Sequence, residues 1–223
     1  MQILKYVFIA VVGYLLGNIS VGMITAKAFG TQDIRKHGSG NSGSTNVLRT
    51  LGWLPGALTL VGDCLKGYIA CMLGRWLCGE TGMLLGGFCA VVGHDYPVFM
   101  GFKGGKGIAT SLAMILAIDP KLGLAHVALV FLVVAVTGYM SLGSILAALA
   151  FPTTVALFYT DREPYLVHVG FAMAACCLAI YRHKGNIQRL LKHEENRLDF
   201  AKITAISKKV MARMRGKNKD NAQ

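Results

Sequence analysis

Acidic residues are scarce in this sequence. Eleven Asp and Glu stand against 23 Lys and Arg, and they form no D-x-x-D or D-x-x-x-D cluster of the kind that holds Mg²⁺ for phosphotransfer. There is no G-x-S-x-G nucleophile elbow, and no His is followed five positions later by Asp. The six cysteines (Cys64, Cys71, Cys78, Cys89, Cys176, Cys177) include no C-x-x-C pair and no His at ligand spacing, so neither a disulfide framework nor a metal site is expected. All six lie in apolar stretches, and Cys64, Cys71 and Cys78 recur every seven residues, as small packing residues on one helix face would. Charge of either sign is thin as well: 15% of residues are charged and 54% hydrophobic, where a soluble domain carries roughly a quarter charged. That deficit points to lipid as solvent.

Net charge is +12, which alone would fit nucleic acid. The basic residues, however, lie outside the apolar runs, and residues 182–223 hold 12 of the 23. No nucleic-acid partner is expected; a cationic cytoplasmic surface facing anionic membrane lipid is. Apolar segments fall near 3–26, 55–74, 82–100, 108–118, 122–139, 145–160 and 164–181. The first is too long for the apolar core of a cleaved signal and is read as a retained span. The fourth falls short of the roughly 20 residues that cross a bilayer, but charge decides its role. The segment 27–54 carries Lys27, Arg35, Lys36 and Arg49 against Asp33, and the tail from Arg182 is strongly basic. Both should be cytoplasmic, which requires an even number of crossings between them. The expected fold is all-α: a polytopic transmembrane bundle of seven spans, N-terminus outside and C-terminus cytoplasmic. Loops near 75–81, 119–121 and 161–163 are then external, each near charge balance. A five-span version with two dipping segments stays open.

Four polar stretches reach the cytoplasmic side in this topology. The first runs Gly38-Ser39-Gly40-Asn41-Ser42-Gly43-Ser44-Thr45-Asn46, with Arg49 three residues on. Glycines alternating with hydroxyl and amide residues let successive N–H groups face an anion, and a helix starting there adds partial positive charge. The second runs Gly93-His94-Asp95-Tyr96-Pro97 into Gly101-Phe102-Lys103-Gly104-Gly105-Lys106-Gly107. Gly107 follows the lysine, so this is no Walker loop; it is a compact cation among glycines before a helix, again suited to phosphate. His94 and Asp95 either pair with each other or cap a helix, or they join the site. The third stretch is Ser141-Leu142-Gly143-Ser144. The fourth is Tyr181-Arg182-His183-Lys184-Gly185-Asn186, leading to Glu194, Glu195 and Arg197; His183 and Asn186 share a helical face. Glu195 and Arg197 read as surface pairs. Asp63 and Lys66 sit inside the second span at i, i+3, where unpaired charge is costly; a mutually neutralised pair is the simpler reading, a functional site the other. Anion-binding groups without acids favour a ligand with one or two phosphates and chemistry that needs no metal and no cofactor.

The blocks G-S-G-N-S-G-S-T-N-V-x-R (38–49), G-H-D-Y-P-V-F-M-G-F-K-G-G-K-G (93–107) and Y-R-H-K-G-N-I-Q-R-L-L (181–191) resemble the three signature motifs of the bacterial acyl-phosphate:glycerol-3-phosphate acyltransferases. The resemblance runs from the first span to about Leu198, leaving 1–198 as the transmembrane acyltransferase domain and 199–223 as a basic cytoplasmic tail. It implies transfer of a fatty acyl group from acyl phosphate to the 1-hydroxyl of sn-glycerol 3-phosphate, giving lysophosphatidic acid and phosphate. That is the first acylation of phospholipid synthesis, at the cytoplasmic face of the bacterial inner membrane, with no obligate protein partner. The missing H-x-x-x-x-D separates the chain from the common CoA-dependent glycerolipid acyltransferases. Carried over residue by residue, the family's site falls on Ser39, Arg49, Lys106, Ser144, His183 and Asn186, with Glu195 structural. Gly38, Gly40, Asn41, Gly43, Thr45, Asn46, Gly104, Gly105 and Gly107 complete the candidate binding loops. The sequence departs from the family's habit at Ser42, Ser44 and His193.

Acyl phosphate is already activated, so catalysis is expected to be positioning and charge stabilisation, with donors facing the carbonyl oxygen as it becomes an oxyanion. The attacking hydroxyl needs a proton acceptor: His183, or the substrate's own phosphate with His183 as a phosphate ligand. A small transporter of phosphorylated metabolites is the rival reading, disfavoured by phosphate loops gathered at one face without a duplicated half. In the tail, Ile203, Ile206, Val210, Met211 and Met214 alternate with basic residues, the pattern of an amphipathic helix on anionic lipid, and Lys217 to Gln223 are expected to be disordered.

Overall fold

The computed structural model describes residues 1–161 and 163–220, with side chains to Gly216. All regular structure among the described residues is helical. Every apolar segment of the sequence becomes helix: α1 (Gln2–Gly17) and α2 (Val21–Ala28) from the first, α4 (Trp53–Asp95) from the second and third, then α5 (Ile108–Ile118), α6 (Pro120–Thr137), α7 (Met140–Phe158) and α8 (Tyr165–Arg182). Three helices lie in the polar stretches: α3 (Ser44–Leu51), α9 (Lys184–Leu191) and α10 (Phe200–Asp220). The helical backbone thus continues to Asp220 in the tail end expected to be disordered; 221–223 lie outside the described residues, as does Arg162 of the expected external loop. Five stretches are long and apolar enough to cross a bilayer, Gln2–Ala28, Trp53–Met100, Pro120–Thr137, Met140–Phe158 and Tyr165–Arg182. The chain divides into two compact units, one of Met1–Ile19 with Asp63–Arg197, the other of Ser20–Gly62 with Leu198–Gln223.

In the first unit α4 reverses on itself. Cys78 (φ −145°, ψ 24°) and Gly79 (φ 63°, ψ −152°) leave helical geometry, and Arg75 pairs with Glu80 across the reversal. The arms return antiparallel and very close: a Cβ on Gly74 would meet the Gly82 carbonyl oxygen at 2.0 Å, and one on Gly86 the Ala70 oxygen at 2.4 Å. Small residues thus do in this hairpin what they do between membrane helices generally, letting backbones touch. The reversal also breaks the expected cysteine face, since Cys78 sits in the turn while Cys71 is wholly buried. Helix α1 packs on the returning arm through Gly13, Gly17 and Gly93. Cys71, Met83, Leu84, Met114, Phe151, Val155 and Ala172 form the core with α5, α7 and α8. Helix α5 has 11 residues, about 16 Å at 1.5 Å per residue, against a hydrocarbon core of about 30 Å. It is buried along much of its surface at Thr110, Ala113, Met114, Ile115, Ala117 and Ile118.

Asp63 and Lys66 pair as expected, at 2.8 Å. The ammonium of Lys66 also donates to the Gly17 and Ile19 carbonyls at 3.0 and 2.7 Å and meets His94 Nδ1 at 2.8 Å. A buried cation thus serves the backbone oxygens exposed where α1 ends, and the nearby carboxylate balances its charge.

The second unit holds α2, a short 3₁₀ turn at Ile34–Lys36, α3, the opening residues of α4, and α10. Its core is Ala26, Ile34, Val47 and Leu51, with Met23, Phe29 and Val210 against it. Ile203 is 2% exposed. Of the apolar stripe of α10, read in the sequence as a lipid-facing surface, Ile203 is thus buried, Ile206, Val210 and Met214 are half-buried, and Met211 is exposed.

Candidate active site

In the first unit the second and third motifs converge. The loop 101–107 ends at Gly107, which caps α5 with φ +68°; a Cβ there would be strained by that conformation and would press on Val91 at 2.7 Å. Lys106 is the residue immediately before this cap. The loop is held from beneath by His94, whose carbonyl accepts from Gly105 N at 3.0 Å, and whose ring leaves no space for a side chain on Gly105. It is held from the side by Arg182. That guanidinium donates to the Gly105 carbonyl through Nε at 3.1 Å and Nη2 at 2.6 Å, reaches Gly104 O at 3.2 Å, and lies over the Tyr96 ring. Asp95, fully buried, is 3.9 Å from Arg182 Nε. His94 and Asp95 therefore pair outward, to Lys66 and Arg182, rather than with each other.

Helix α8 ends at Arg182 and α9 begins at Lys184, with His183 the shared cap. One turn on, Asn186 accepts a short hydrogen bond from Lys106 Nζ and donates Nδ2 to Glu195 Oε1 at 2.9 Å. Glu195 Oε2 accepts from Arg189 Nε at 2.8 Å. The residues alone suggested a surface pair for Glu195, and the family resemblance a structural role; it is 7% exposed and anchors the amide that holds Lys106. His183 is 2% exposed, and its Nδ1 lies 2.7 Å from the Ala179 carbonyl. A carbonyl only accepts, so Nδ1 carries the proton and Nε2 of the neutral ring is left as an acceptor. Burial, aided by the charge of Lys106, pushes the imidazole down from 6.5 to about 4. The ring is neutral at physiological pH, as a proton acceptor must be. On α7, Ser144 donates its hydroxyl to Met140 O at 2.9 Å, while the buried Ser141 hydroxyl has no hydrogen-bond partner among the described residues.

In the second unit the first motif forms a loop built around one amide. Asn46, 2% exposed, accepts from Ser39 N at 2.8 Å and sets Nδ2 within 2.8–3.1 Å of the Ile34, His37 and Asn41 carbonyls. Gly38 (φ +57°) has no room for a Cβ, which would meet Asn46 Oδ1 at 2.2 Å. Asn41 Oδ1 accepts from Gly43 N at 2.7 Å, and Gly43 caps α3. Asn46 was expected to touch a ligand; its side chain is engaged by the loop itself. Ser39 and Gly40 are exposed, Thr45 and Arg49 half-buried on α3. Asp33 chelates Arg35 at 2.9 Å, which holds its carboxyl down at about 2.

Sequence reasoning did not single out Arg182, since its partners lie 77 and 78 positions away; the one available signal was a cation at the end of a span beside a glycine-rich motif. A family model described as glycerol-3-phosphate acyltransferase matches residues 7–193. The chain belongs to the glycerol-3-phosphate acyltransferase family. Among its relatives, the glycerol-3-phosphate acyltransferase of Clostridioides difficile (strain 630) is 44% identical over 204 residues, covering 89% of this chain and 98% of the relative. That of Geobacter sulfurreducens is 44% identical over 195 residues, covering 87% and 98%. The chain is also similar to crystal structures of PlsY (YgiH), an integral membrane glycerol 3-phosphate acyltransferase. Its glycerol 3-phosphate form gives a TM-score of 0.81 at 36% identity, and its lysophosphatidic acid form 0.78 at 35%, each covering 89% of this chain and 98% of the other. This family's chain is an integral membrane enzyme, and the transporter reading falls away.

Proposed function

We propose that the chain transfers a fatty acyl group from acyl phosphate to the 1-hydroxyl of sn-glycerol 3-phosphate, releasing lysophosphatidic acid and phosphate. The observation that carries this reading is the chain Lys106–Asn186–Glu195, buried at Asn186 and Glu195, whose lysine charge acts on a neutral His183: a cation fixed in place beside a histidine whose Nε2 is free to accept a proton. The glycerol 3-phosphate and lysophosphatidic acid forms of the similar PlsY support the acceptor and the product. The donor is argued from chemistry. A phosphate leaving group needs little acid assistance, and this site offers cations and backbone N–H groups instead of an acid.

In this proposal Ser39, Arg49 and the loop groups of Gly38, Gly40, Asn41, Gly43 and Thr45 hold a phosphate, with Asn46 shaping the loop. Lys106 and the backbone of Gly104, Gly105 and Gly107 hold a phosphate and the developing oxyanion, Ser144 adds a hydroxyl, and Asn186 and Glu195 position Lys106. His183 takes the proton of the attacking hydroxyl, or else binds phosphate while the substrate takes it. Seven crossings, with the loops 27–54 and 101–107 and the tail on the cytoplasmic face of a bacterial inner membrane, complete the reading. The test is purified protein in detergent with labelled glycerol 3-phosphate and acyl phosphate, acyl-CoA or acyl carrier protein offered separately. Lysophosphatidic acid should form only with acyl phosphate; equal rates with acyl-CoA would overturn the donor assignment.

A further inference from the structure

Helix α10 lies beyond residue 193, where the family model stops, so the shared motifs give it no task. Its packing gives it one. Along it, Ile203, Ile206, Ser207, Val210 and Met214 recur at helical spacing and are wholly or partly buried, while Lys202, Lys208, Lys209, Arg213 and Arg215 are exposed. The inner stripe rests on α3, with Val210 against the cluster that contains Val47 and Leu51. Where α3 turns into α4, Ser207 Oγ accepts from Trp53 N at 2.9 Å, and Trp53 Nε1 donates to Thr204 Oγ1 at 3.2 Å. The Trp53 and Phe200 rings stack at 5.9 Å with an interplanar angle of 1°. Gly52, at φ +93°, lets α10 this close; a Cβ there would fall 2.2 Å from Ser207 Oγ.

Helix α3 has eight residues, fewer than the roughly 12–15 at which an isolated helix becomes even marginal. It therefore depends on packing, and its first turn closes the glycine-rich loop while Arg49 rides on its last. We propose that α10 is a positioning element for this phosphate-binding loop: by burying Ile203 and Val210 it holds α3, and with it Arg49 and the loop N–H groups, in the geometry that receives a phosphate. The proposal rests on the reading that the loop binds phosphate, carried either by glycerol 3-phosphate or by the acyl donor.

The test uses full-length protein in detergent. Ile203→Asp with Val210→Asp attacks the stripe, Val210→Ala serves as the milder change should the double variant not fold, and Lys209→Gln alters only the outer face. Backbone hydrogen exchange over 44–51 should speed up in the stripe variants and not in Lys209→Gln. The KM for glycerol 3-phosphate or for acyl phosphate should rise about tenfold while kcat stays within about twofold, and the substrate affected identifies whose phosphate the loop holds. Restoring bulk with Val210→Ile should restore both readouts. Unchanged exchange over 44–51, or faster exchange with both KM values unaltered, overturns the proposal. If the unaltered chain transfers no acyl group to glycerol 3-phosphate, the functional reading fails and the loop's phosphate role fails with it, whereas the exchange result still decides whether α10 braces α3.

Discussion

Arg49 and Lys106 carry the same charge in different forms. A guanidinium offers a planar fork that grips a phosphate at two points, whereas an ammonium is a point charge that glycines allow a ligand to approach. Arg49→Lys should therefore lose much of the activity despite keeping its charge, and Lys106→Gln should lose it by charge. Each is expected to cost about 1.5–3 kcal/mol, roughly ten- to a hundredfold in kcat/KM, measured with acyl phosphate as donor; near-normal kinetics in both folded variants would remove these residues from the site. His183 has its own signature. If it is the base, the acid limb of kcat/KM falls near pH 4 rather than 6.5. An unfolded chain binds a proton at its ordinary 6.5 and the folded one only at about 4, so stability is full above 6.5 and falls as pH drops through that window. Thermal unfolding from pH 8 to pH 5 should show this loss, and His183→Gln should reduce it. The charged and nucleophilic candidates were legible because their residue types name their chemistry. What Asn46 and Arg182 do was not, because a side chain spent on distant carbonyls looks in sequence like one offered to a ligand, and the structural role of Glu195 came only through the family resemblance, since its amide partner lies nine positions away.

Helices α1 and α4 to α8 were legible as apolar runs, and so was the turn of the α4 hairpin, where Arg75 and Glu80 interrupt one. The break at Asn18–Ser20 was not, because two uncharged polar residues do not interrupt an apolar run as a charge does; the cap that stabilises it, Lys66, arrives from a residue 47 and 49 positions away. The closeness of the helices was also hidden. A glycine in an apolar run reads the same whether it faces lipid or a neighbouring backbone, and the structure separates the two cases. A Cβ on Gly17 would come 2.1 Å from the Ala90 carbonyl oxygen, whereas one on Gly170 meets nothing within 4 Å. Gly17→Ala must push α1 off the returning arm of α4 and should destabilise by about 1–3 kcal/mol. Gly170→Ala should leave stability unchanged. Thermal unfolding of the two variants in one detergent compares them directly, and equal melting temperatures would refute the close packing of α1.

Across the whole chain, the count of membrane crossings turns on the shortest apolar helix. In the proposed seven-span arrangement the segment 27–54 and the tail share one face of the bilayer, with an even number of crossings between them, and the packing of α10 on α3 within one unit fits that placement. The α4 hairpin contributes two or none, since its antiparallel arms begin and end together. Helices α6, α7 and α8, each long and apolar enough to cross, contribute three. The proposed arrangement therefore has α5 cross as well, although its 11 residues are about 16 Å long. Its burial among other helices is compatible with a crossing, because short or irregular backbone at membrane depth is tolerated where protein surrounds it. Single cysteines introduced at Ser39, Glu80, Lys121, Glu163 and Lys209, in a background where the native cysteines are replaced, test the assignment with a thiol reagent that cannot enter intact cells. Glu80, Lys121 and Glu163 should be labelled from outside, and Ser39 and Lys209 only after the membrane is opened. Protection at Lys121 would mean that α5 dips without crossing, and protection at Glu80 that the hairpin turns back within the bilayer; either would sink the seven-span arrangement.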